Sequence, residues 1–243
     1  KLYYTSLYHS MIMPTNFSDV DGRYLGFDRS VHQAEGHAYR TDLSLWDTFR
    51  TTHPLYTLIA PGIACDSVQS LLLMADQSGM LPRWPSGGGE SSSMFGSPAN
   101  FLLGEALAKK TCSIDFAKAL HYMRKSAEQQ EVLPSARDLV CWSLGYCPSD
   151  KVDQSVSKTL EYAWADSVTA DLARSLGSIA VADEFAHRAQ AFRLVWDENQ
   201  KYFAPKNSAG QFAKVKPDLL PYIDFWKEAL AFAEGSANQW RYS

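Results

Sequence analysis

Two successive stretches with helical spacing constrain the fold of this chain more than any other feature. Apolar residues recur at three- and four-residue steps over residues 155–177, which predicts a long amphipathic helix that ends at Gly177. The same spacing over residues 180–196 predicts a partner helix. Because the connection between them is short, the two helices are expected to lie antiparallel. The predicted inward face of the first helix carries Leu160, Ala163, Trp164, Val168, Leu172 and Leu176.

Other segments with the same character suggest a fold built from such pairs. No alternation of strands and helices is visible and nothing repeats closely in sequence, so an all-α helical toroid or (α/α) barrel is favoured over a repeat solenoid. Residues 131–149 are expected to be irregular, and a small hairpin is expected around residues 207–210, with residues 202–205 and 211–212 as its arms. Helices are predicted over residues 2–13, from 42–44 to Pro54, and over residues 61–79, 100–110, 113–129 and 224–233.

Composition excludes several functional classes. The net charge is −4 without a basic cluster, which argues against a nucleic-acid-binding face. No apolar run approaches the roughly 18 residues that a membrane helix needs. The chain begins with Lys1 rather than Met and stops in mid-pattern, so we expect it to be a segment of a longer protein.

The cysteines are Cys65, Cys112, Cys141 and Cys147, and none forms a C-x-x-C pair, so a zinc site is not expected. Cys141 and Cys147 are close enough in sequence to bridge across a turn. Buried free thiols are nevertheless the favoured interpretation.

Residues 17–54 mix six carboxylates with aromatic rings, glycines and histidines, a combination that suits a carbohydrate. Rings stack on the apolar face of a pyranose, and carboxylates accept hydrogen bonds from its hydroxyls. Within this stretch Trp46 and Asp47 stand at a predicted helix start, where both can face a cleft. The alternative is that Trp46 belongs to the core and Asp47 is a first-turn acid favoured by the helix dipole.

Two further segments could contribute to such a cleft. The loop over residues 81–98 is rich in Gly, Ser and Pro, yet it holds Arg83, Trp84 and Glu90, which could bind sugar hydroxyls. It could equally be a solvated loop that Trp84 anchors to the core. Near the end of the chain, Glu234 precedes a glycine and could act as a general acid in an apolar pocket. An ordinary surface glutamate is the alternative.

Metal and phosphate motifs are not apparent. The histidines form no ligand pair at helical spacing, and no phosphate-cradling glycine loop or G-x-S-x-G is found in the sequence. Asp19 and Asp21 before Gly22 are similar to the start of a calcium loop, but the rest of that loop is not there.

Several of these segments, taken in order, resemble family 92 of the glycoside hydrolases, the calcium-dependent exo-acting α-mannosidases. The resemblance runs over nearly the whole chain, and its WDT and SDVDGRY segments are the most specific. The matching segments are LYHS (residues 7–10), FSDVDGRYLGFD (17–28), SLWDTFRTTHPL (44–55), LPRWP (81–85), GES with MFG and a proline (89–98), SKTLEYAWAD (157–166) and EGSANQWRY (234–242).

The resemblance implies a fold and a reaction. Residues 1–243 would be the N-terminal and central part of an (α/α)6 catalytic domain, with the remainder of the barrel downstream and a β-sandwich domain before it. The reaction would be hydrolysis of terminal α-mannosides, often α-1,2-linked, with inversion, on mannose-containing oligosaccharides or glycoprotein glycans. The family also implies a secreted, periplasmic or cell-surface location.

The resemblance also implies site residues. Glu234 would be the general acid, and Asp47 beside Trp46 would bind mannose hydroxyls in the −1 subsite. Arg83, Trp84 and Glu90 would line the same pocket, with Gln239 and Trp240 as further substrate contacts. The general base, an Asp, and the calcium ligands would lie downstream of this chain, with calcium gripping the mannose 2- and 3-hydroxyls.

The sequence departs from the family pattern in two places. EGSANQWRY stands where EGNAWQY is common, which displaces the tryptophan from the glutamate, and Gly-Glu-Ser stands at residues 89–91 where Asn-Glu-Thr is frequent. Two other functions therefore stay open. One is another (α/α)6 glycosidase, such as an α-glucosidase. The other is an inactive glycan-binding or scaffold protein. The remainder of its own polypeptide is an expected partner in each case.

Overall fold

The computed structural model describes residues 1–128 and 137–214, and most of its regular structure is helical. The long helices were predicted to within a few residues, because each combines apolar periodicity with a clear stop such as Gly79, whose φ is +86°. The helices are α1 (Leu2–Ser10), α2 (Leu45–Thr48), α3 (Thr52–Ile59), α4 (Pro61–Ser78), α5 (Ala99–Lys109), α6 (Phe116–Glu128), α7 (Leu139–Leu144), α8 (Ser155–Ser175) and α9 (Ile179–Arg188), followed by a 3-10 helix (Ala189–Val195).

Short antiparallel strand pairs lie between the helices, in addition to the predicted helical framework. Turn-forming residues explain them, because a glycine such as Gly87, with φ +55°, reverses the chain between two extended segments. The pairs are β1 (Thr15–Asn16) with β4 (Arg40–Thr41), β2 (Arg23–Leu25) with β3 (Val31–Gln33), β5 (Pro85–Ser86) with β6 (Gly89–Glu90), and β7 (Trp196–Asp197) with β8 (Tyr202–Phe203).

Helix α8 lies at the centre of the described structure and packs against α5, α6 and α9. Its buried residues occur on every side and include Glu161, Asp166 and Thr169. The predicted single apolar face was therefore only partly right. Ala163 and Leu172 are buried, whereas the Trp164 side chain is half exposed. Polar groups on a central helix must find partners, and these partners shape the candidate site.

Other boundaries differ from the predictions. The helix expected to stop at Pro54 breaks earlier: α2 ends at Thr48, and Pro54 lies in the first turn of α3, where a missing N–H costs no helical bond. Part of the region expected to be irregular forms α7. Around residues 207–210 a bridge joins Lys206 to Phe212, but residues 202–203 pair with residues 196–197 instead. The helix predicted over residues 224–233 lies outside the described residues.

All four cysteines are paired, Cys65 with Cys112 and Cys141 with Cys147. The favoured interpretation as free thiols was therefore wrong, and the possible Cys141–Cys147 bridge is present. The first pair ties α4 to the chain that follows α5. No helix within residues 1–128 and 137–214 is both long and apolar enough to cross a bilayer.

Candidate active site

The segment Trp-Asp-Thr forms the short helix α2, and its side chains point in different directions. The Trp46 ring is partly buried and meets the ring of Phe95 edge-on, with centroids 5.8 Å apart. Asp47 is exposed, and its carboxylate has no hydrogen-bond or ion-pair partner within the described part of the chain. The structure thus provides a ring and an unengaged carboxylate at one corner, which we call the WDT corner (residues 44–50).

The loop over residues 81–98 is fastened to the chain just before this corner. The backbone N–H of Leu43 donates to the carbonyl of Pro85 (3.1 Å), and the Thr41 hydroxyl donates to the carbonyl of Gly87 (2.8 Å). Phe95, from the same loop, supplies the ring against Trp46. The two segments that the sequence predicts to share a pocket are therefore in contact.

Glu90 shapes this loop. Its carboxylate accepts hydrogen bonds from three backbone N–H groups: those of Arg83 (2.6 Å), Trp84 (3.0 Å) and Ser92 (2.6 Å). Both oxygens are thus engaged inside the loop. A contact between Glu90 and substrate stays a prediction, while its holding of the loop is visible in the structure.

Arg83 and Trp84, which are neighbours in the same loop, differ in how much of their surface is exposed. The Arg83 side chain is buried, and its Nη1 donates to the carbonyl of Met94 at 3.0 Å. Trp84 is only partly buried. Of these two predicted substrate contacts, Trp84 is the one with accessible side-chain surface.

The structure adds two residues that the site predictions missed, Arg50 and Glu161. Arg50 Nη2 lies 2.8 Å from Glu161 Oε1, and Arg50 Nε donates to the Trp46 carbonyl at 3.2 Å. The guanidinium also lies over two rings, 4.8 Å from the Trp46 centroid and 4.5 Å from that of Phe49. A signal was available only for Arg50, since it follows Trp46 by one helical turn.

Glu161 is a buried carboxyl. Its side chain is 8% exposed, and burial raises its pKa, with the Arg50 guanidinium acting in the opposite direction. Its second oxygen, Oε2, is buried and has no hydrogen-bond partner among the described residues.

Aromatic rings continue the surface beyond this ion pair. The rings of Phe49 and Phe101 are stacked at 4.2 Å, and Trp164 packs against both, at 5.2 and 4.7 Å. Trp164 is half exposed and lies one turn along α8 from Glu161. The rings therefore form a partly open apolar surface next to the WDT corner.

Two of the acids of residues 17–41, Asp21 and Asp28, make their contacts around the β2–β3 hairpin instead. The carboxylate of Asp21 accepts hydrogen bonds from Arg23, and that of Asp28 binds His32. These contacts and neighbouring backbone N–H groups lower the pKa of both carboxyls. Tyr24 stacks on Tyr39 at 3.8 Å. The density of acids and aromatic rings in the sequence therefore predicted more sugar-binding residues in this stretch than the structure leaves available.

A pocket of about 280 Å³ opens between α1 and the WDT corner. Its walls include Ser44, Thr48 and His53, together with His9 and Pro14 from the end of α1 and the turn after it. Burial lowers the pKa of His53 to about 4, so its imidazole is neutral at physiological pH.

Calcium ligands were expected downstream of this chain. Within residues 1–128 and 137–214, no group of three or more His, Cys, Asp or Glu side chains could hold a metal ion. Glu234, Gln239 and Trp240 lie outside the described residues, so the predicted proton donor is not placed.

Comparison with known proteins gives a consistent picture. The model of the glycosyl hydrolase family 92 catalytic domain matches residues 1–243. The structure of the family 92 α-mannosidase BT3965 from Bacteroides thetaiotaomicron, in complex with mannoimidazole, is similar at a TM-score of 0.81 and 33% identity, over 88% of this chain and 28% of that one. The inverting family 92 mannosidase BT2199 from the same organism matches at 0.81 and 31%, over 88% and 30%.

A more distant structure, the family 92 glycosyl hydrolase ccman5, matches at a TM-score of 0.64 and 20% identity over 88% of this chain, which supports the fold alone. A search of curated proteins found no match. This chain spans less than a third of the length of each of these structures.

Proposed function

The chain belongs to glycosyl hydrolase family 92, and from this we propose that it takes part in the hydrolysis of terminal α-mannosides. The observation that carries the proposal is the WDT corner, where Asp47 is exposed and the ring of the adjacent Trp46 packs against Phe95 of the loop over residues 81–98. The similarity to BT3965 and BT2199, both mannosidases, supports mannose as the sugar. The preferred linkage is proposed to be α-1,2, as on N-glycan-type oligosaccharides.

At this corner, Asp47 would accept hydrogen bonds from the sugar's hydroxyls, and Trp46 and Trp84 would offer apolar ring surface. The carboxylate of Glu90 would act through the loop that it holds, by keeping the Trp84 backbone in place. Gln239 and Trp240 are proposed as further contacts. These groups bind and orient the sugar, and orientation alone can contribute several powers of ten to a rate.

The proton transfers are assigned to two carboxyls. Glu234 would protonate the departing glycosidic oxygen. A downstream Asp outside this chain would deprotonate a water on the opposite face of the ring, which gives inversion. An inverting enzyme releases β-mannose first from an α-mannoside. The similarity to BT2199, an inverting mannosidase, supports this stereochemistry.

The test uses the complete protein and two substrates that differ in leaving group. We expect Glu234→Gln to lower kcat on an α-1,2-linked mannobiose by about 10²–10⁴-fold, because its poor leaving group needs a proton. An activated aryl α-mannoside should lose much less. The matched control is Glu198→Gln, which removes an exposed carboxylate paired with Lys201 and should leave both rates unchanged. Equal losses on the two substrates would reject Glu234 as the acid.

The two other functions are separated by the same assay. An α-glucosidase would hydrolyse an aryl α-glucoside faster than the matching aryl α-mannoside. These two substrates differ only in their configuration at C2. A glycan-binding protein without activity would bind mannobiose, measured by calorimetry, but release no mannose. Proton NMR of the first product, as β- or α-mannose, tests inversion separately.

Calcium dependence and location are proposed from the family. Loss of activity with EDTA and its return with added calcium would support the calcium requirement. A secreted, periplasmic or cell-surface location is supported by the Cys65–Cys112 and Cys141–Cys147 pairs, because disulfides persist in oxidising compartments. Cell fractionation with an antibody would test it.

A further inference from the structure

We propose that Glu161 is a positioning residue, which holds Arg50 and through it keeps Trp46 and Asp47 of the WDT corner in place. This inference rests on the proposed function of that corner as a sugar-binding site. It concerns a residue of the SKTLEYAWAD segment to which the proposed mechanism gives no role.

The first argument is connectivity. Arg50 makes one contact with Glu161 on α8, at 2.8 Å, and two with Trp46: a hydrogen bond to its carbonyl and a cation–π contact with its ring. Asp47 is the next residue in the same short helix. A helix of four residues has little stability of its own, so its position depends on contacts of this kind.

The second argument is the burial of Glu161 between two elements. Gly96, from the loop over residues 81–98, packs so closely that a Cβ added to it would lie 3.2 Å from Glu161 Cβ. The neighbouring Phe95 packs against Trp46. Glu161 therefore contacts the loop directly, and it is linked to α2 through Arg50.

The third argument concerns the choice of residue. A carboxylate buried in a helix is costly unless it is fully paired, and Glu161 makes one ion-pair contact while its second oxygen has no hydrogen-bond partner among the described residues. An apolar residue would fill the same space at a lower cost. Retaining the charge is explained if it fixes the direction of the Arg50 guanidinium, because a planar fork needs an oriented acceptor.

The experiment measures the local opening of α2 and the activity separately, in the complete protein. Hydrogen exchange of the Asp47, Thr48 and Phe49 amides, which bond to Ser44 and Leu45 carbonyls, reports on α2 directly. We expect Glu161→Gln to speed this exchange about tenfold, since local opening no longer breaks an ion pair. Arg50→Lys, which keeps the charge but loses the fork, should act in the same direction and serves if Glu161→Gln does not fold.

The matched control is Asp166→Asn, because Asp166 is a buried carboxylate on the same helix that pairs with Arg137 rather than with Arg50. This variant should leave the exchange of α2 within about twofold of the wild type, although it lowers global stability. If Glu161→Gln and Asp166→Asn change that exchange equally, or if neither changes it, the proposal is overturned.

Activity provides the second measurement. We expect Glu161→Gln to lower kcat/KM on mannobiose by up to about 10²-fold, as small misplacements of binding groups do. Added to Asp47→Asn, it should cost clearly less than it does in the wild type, because part of its effect acts through Asp47. Fully additive losses would overturn the proposal. If the wild-type protein does not hydrolyse mannosides, the proposed function fails, and the exchange measurement still decides whether Glu161 positions α2.

Discussion

Helix α8 carries two buried carboxylates, one of which is more completely paired than the other. Asp166 receives two hydrogen bonds from Arg137, at 2.9 and 2.5 Å, and both side chains are almost fully buried. Glu161, a little more than one turn earlier, binds Arg50 through one oxygen only, and the Arg50 side chain is 39% exposed. The helix and the residue class are similar, but the environments differ.

The difference between the two pairs suggests that Asp166 and Glu161 have different roles on this helix. The two-point pair occupies both oxygens of Asp166 and fixes one geometry, although Arg137 Nε has no partner among the described residues. Rings from Tyr162 and Trp142 lie near the Arg137 guanidinium. Such a pair serves stability. A half-satisfied pair at the edge of a candidate site is less useful for stability, and a buried group without a full set of partners calls for another explanation.

The largest expected effect on stability comes from breaking the complete pair. Asp166→Asn leaves the buried Arg137 without a counter-charge, which typically costs about 3–5 kcal/mol of unfolding free energy. Urea unfolding of the complete protein would measure it.

Glu161→Gln should cost only about 1–2 kcal/mol of unfolding free energy, because Arg50 can be hydrated once its partner is neutral. Equal costs would show that the two pairs are energetically alike.

The sequence predicted the parts of this molecule that local pattern determines. Helices α4 and α8 have apolar periodicity and clear ends, so their bounds were found within two residues. The proximity of the WDT segment and the loop over residues 81–98 was expected from family resemblance. The structure shows the contact between them through Trp46 and Phe95, while the roles of the site residues stay predictions.

The parts that were missed depend on partners far away in sequence. Arg50 and Glu161 are separated by 111 residues, and no local spacing predicts which acid an arginine will meet. The Cys65–Cys112 pair joins residues 47 apart and was missed for the same reason. Trp164 was assigned to the core by periodicity, but a central helix has more than one packed face, and this ring lies on a partly open one.

His53 is another buried titratable residue, and its imidazole has no hydrogen bond or ion pair within the described residues. Its pKa therefore reports the effect of burial alone. Burial lowers its pKa to about 4 from an ordinary 6.5. The unfolded chain therefore binds a proton more readily, and stability falls as pH drops from about 6.5 to 4. The loss should approach about 3 kcal/mol near pH 4. Urea unfolding at several pH values would measure it.

The control for this prediction is His53→Gln, which keeps a polar side chain but does not titrate in that range. Subtracting its unfolding free energy from that of the wild type at each pH removes the contribution of the carboxylates. If the difference does not change between pH 7 and pH 4, then His53 is not responsible for acid sensitivity.

The smallest expected effect tests the close approach that confines Glu161. Gly96 has φ +81°, and an alanine there would place its Cβ 3.2 Å from Glu161 Cβ; Gly210 has the same φ, but its nearest neighbour, Lys206 Cε, lies at 3.9 Å. Gly96→Ala and Gly210→Ala should each lose about 1 kcal/mol to backbone strain. Gly96→Ala should lose about 1 kcal/mol more through crowding. Identical unfolding free energies would mean that the loop can move away from α8, and Glu161 would then be less confined than its burial indicates.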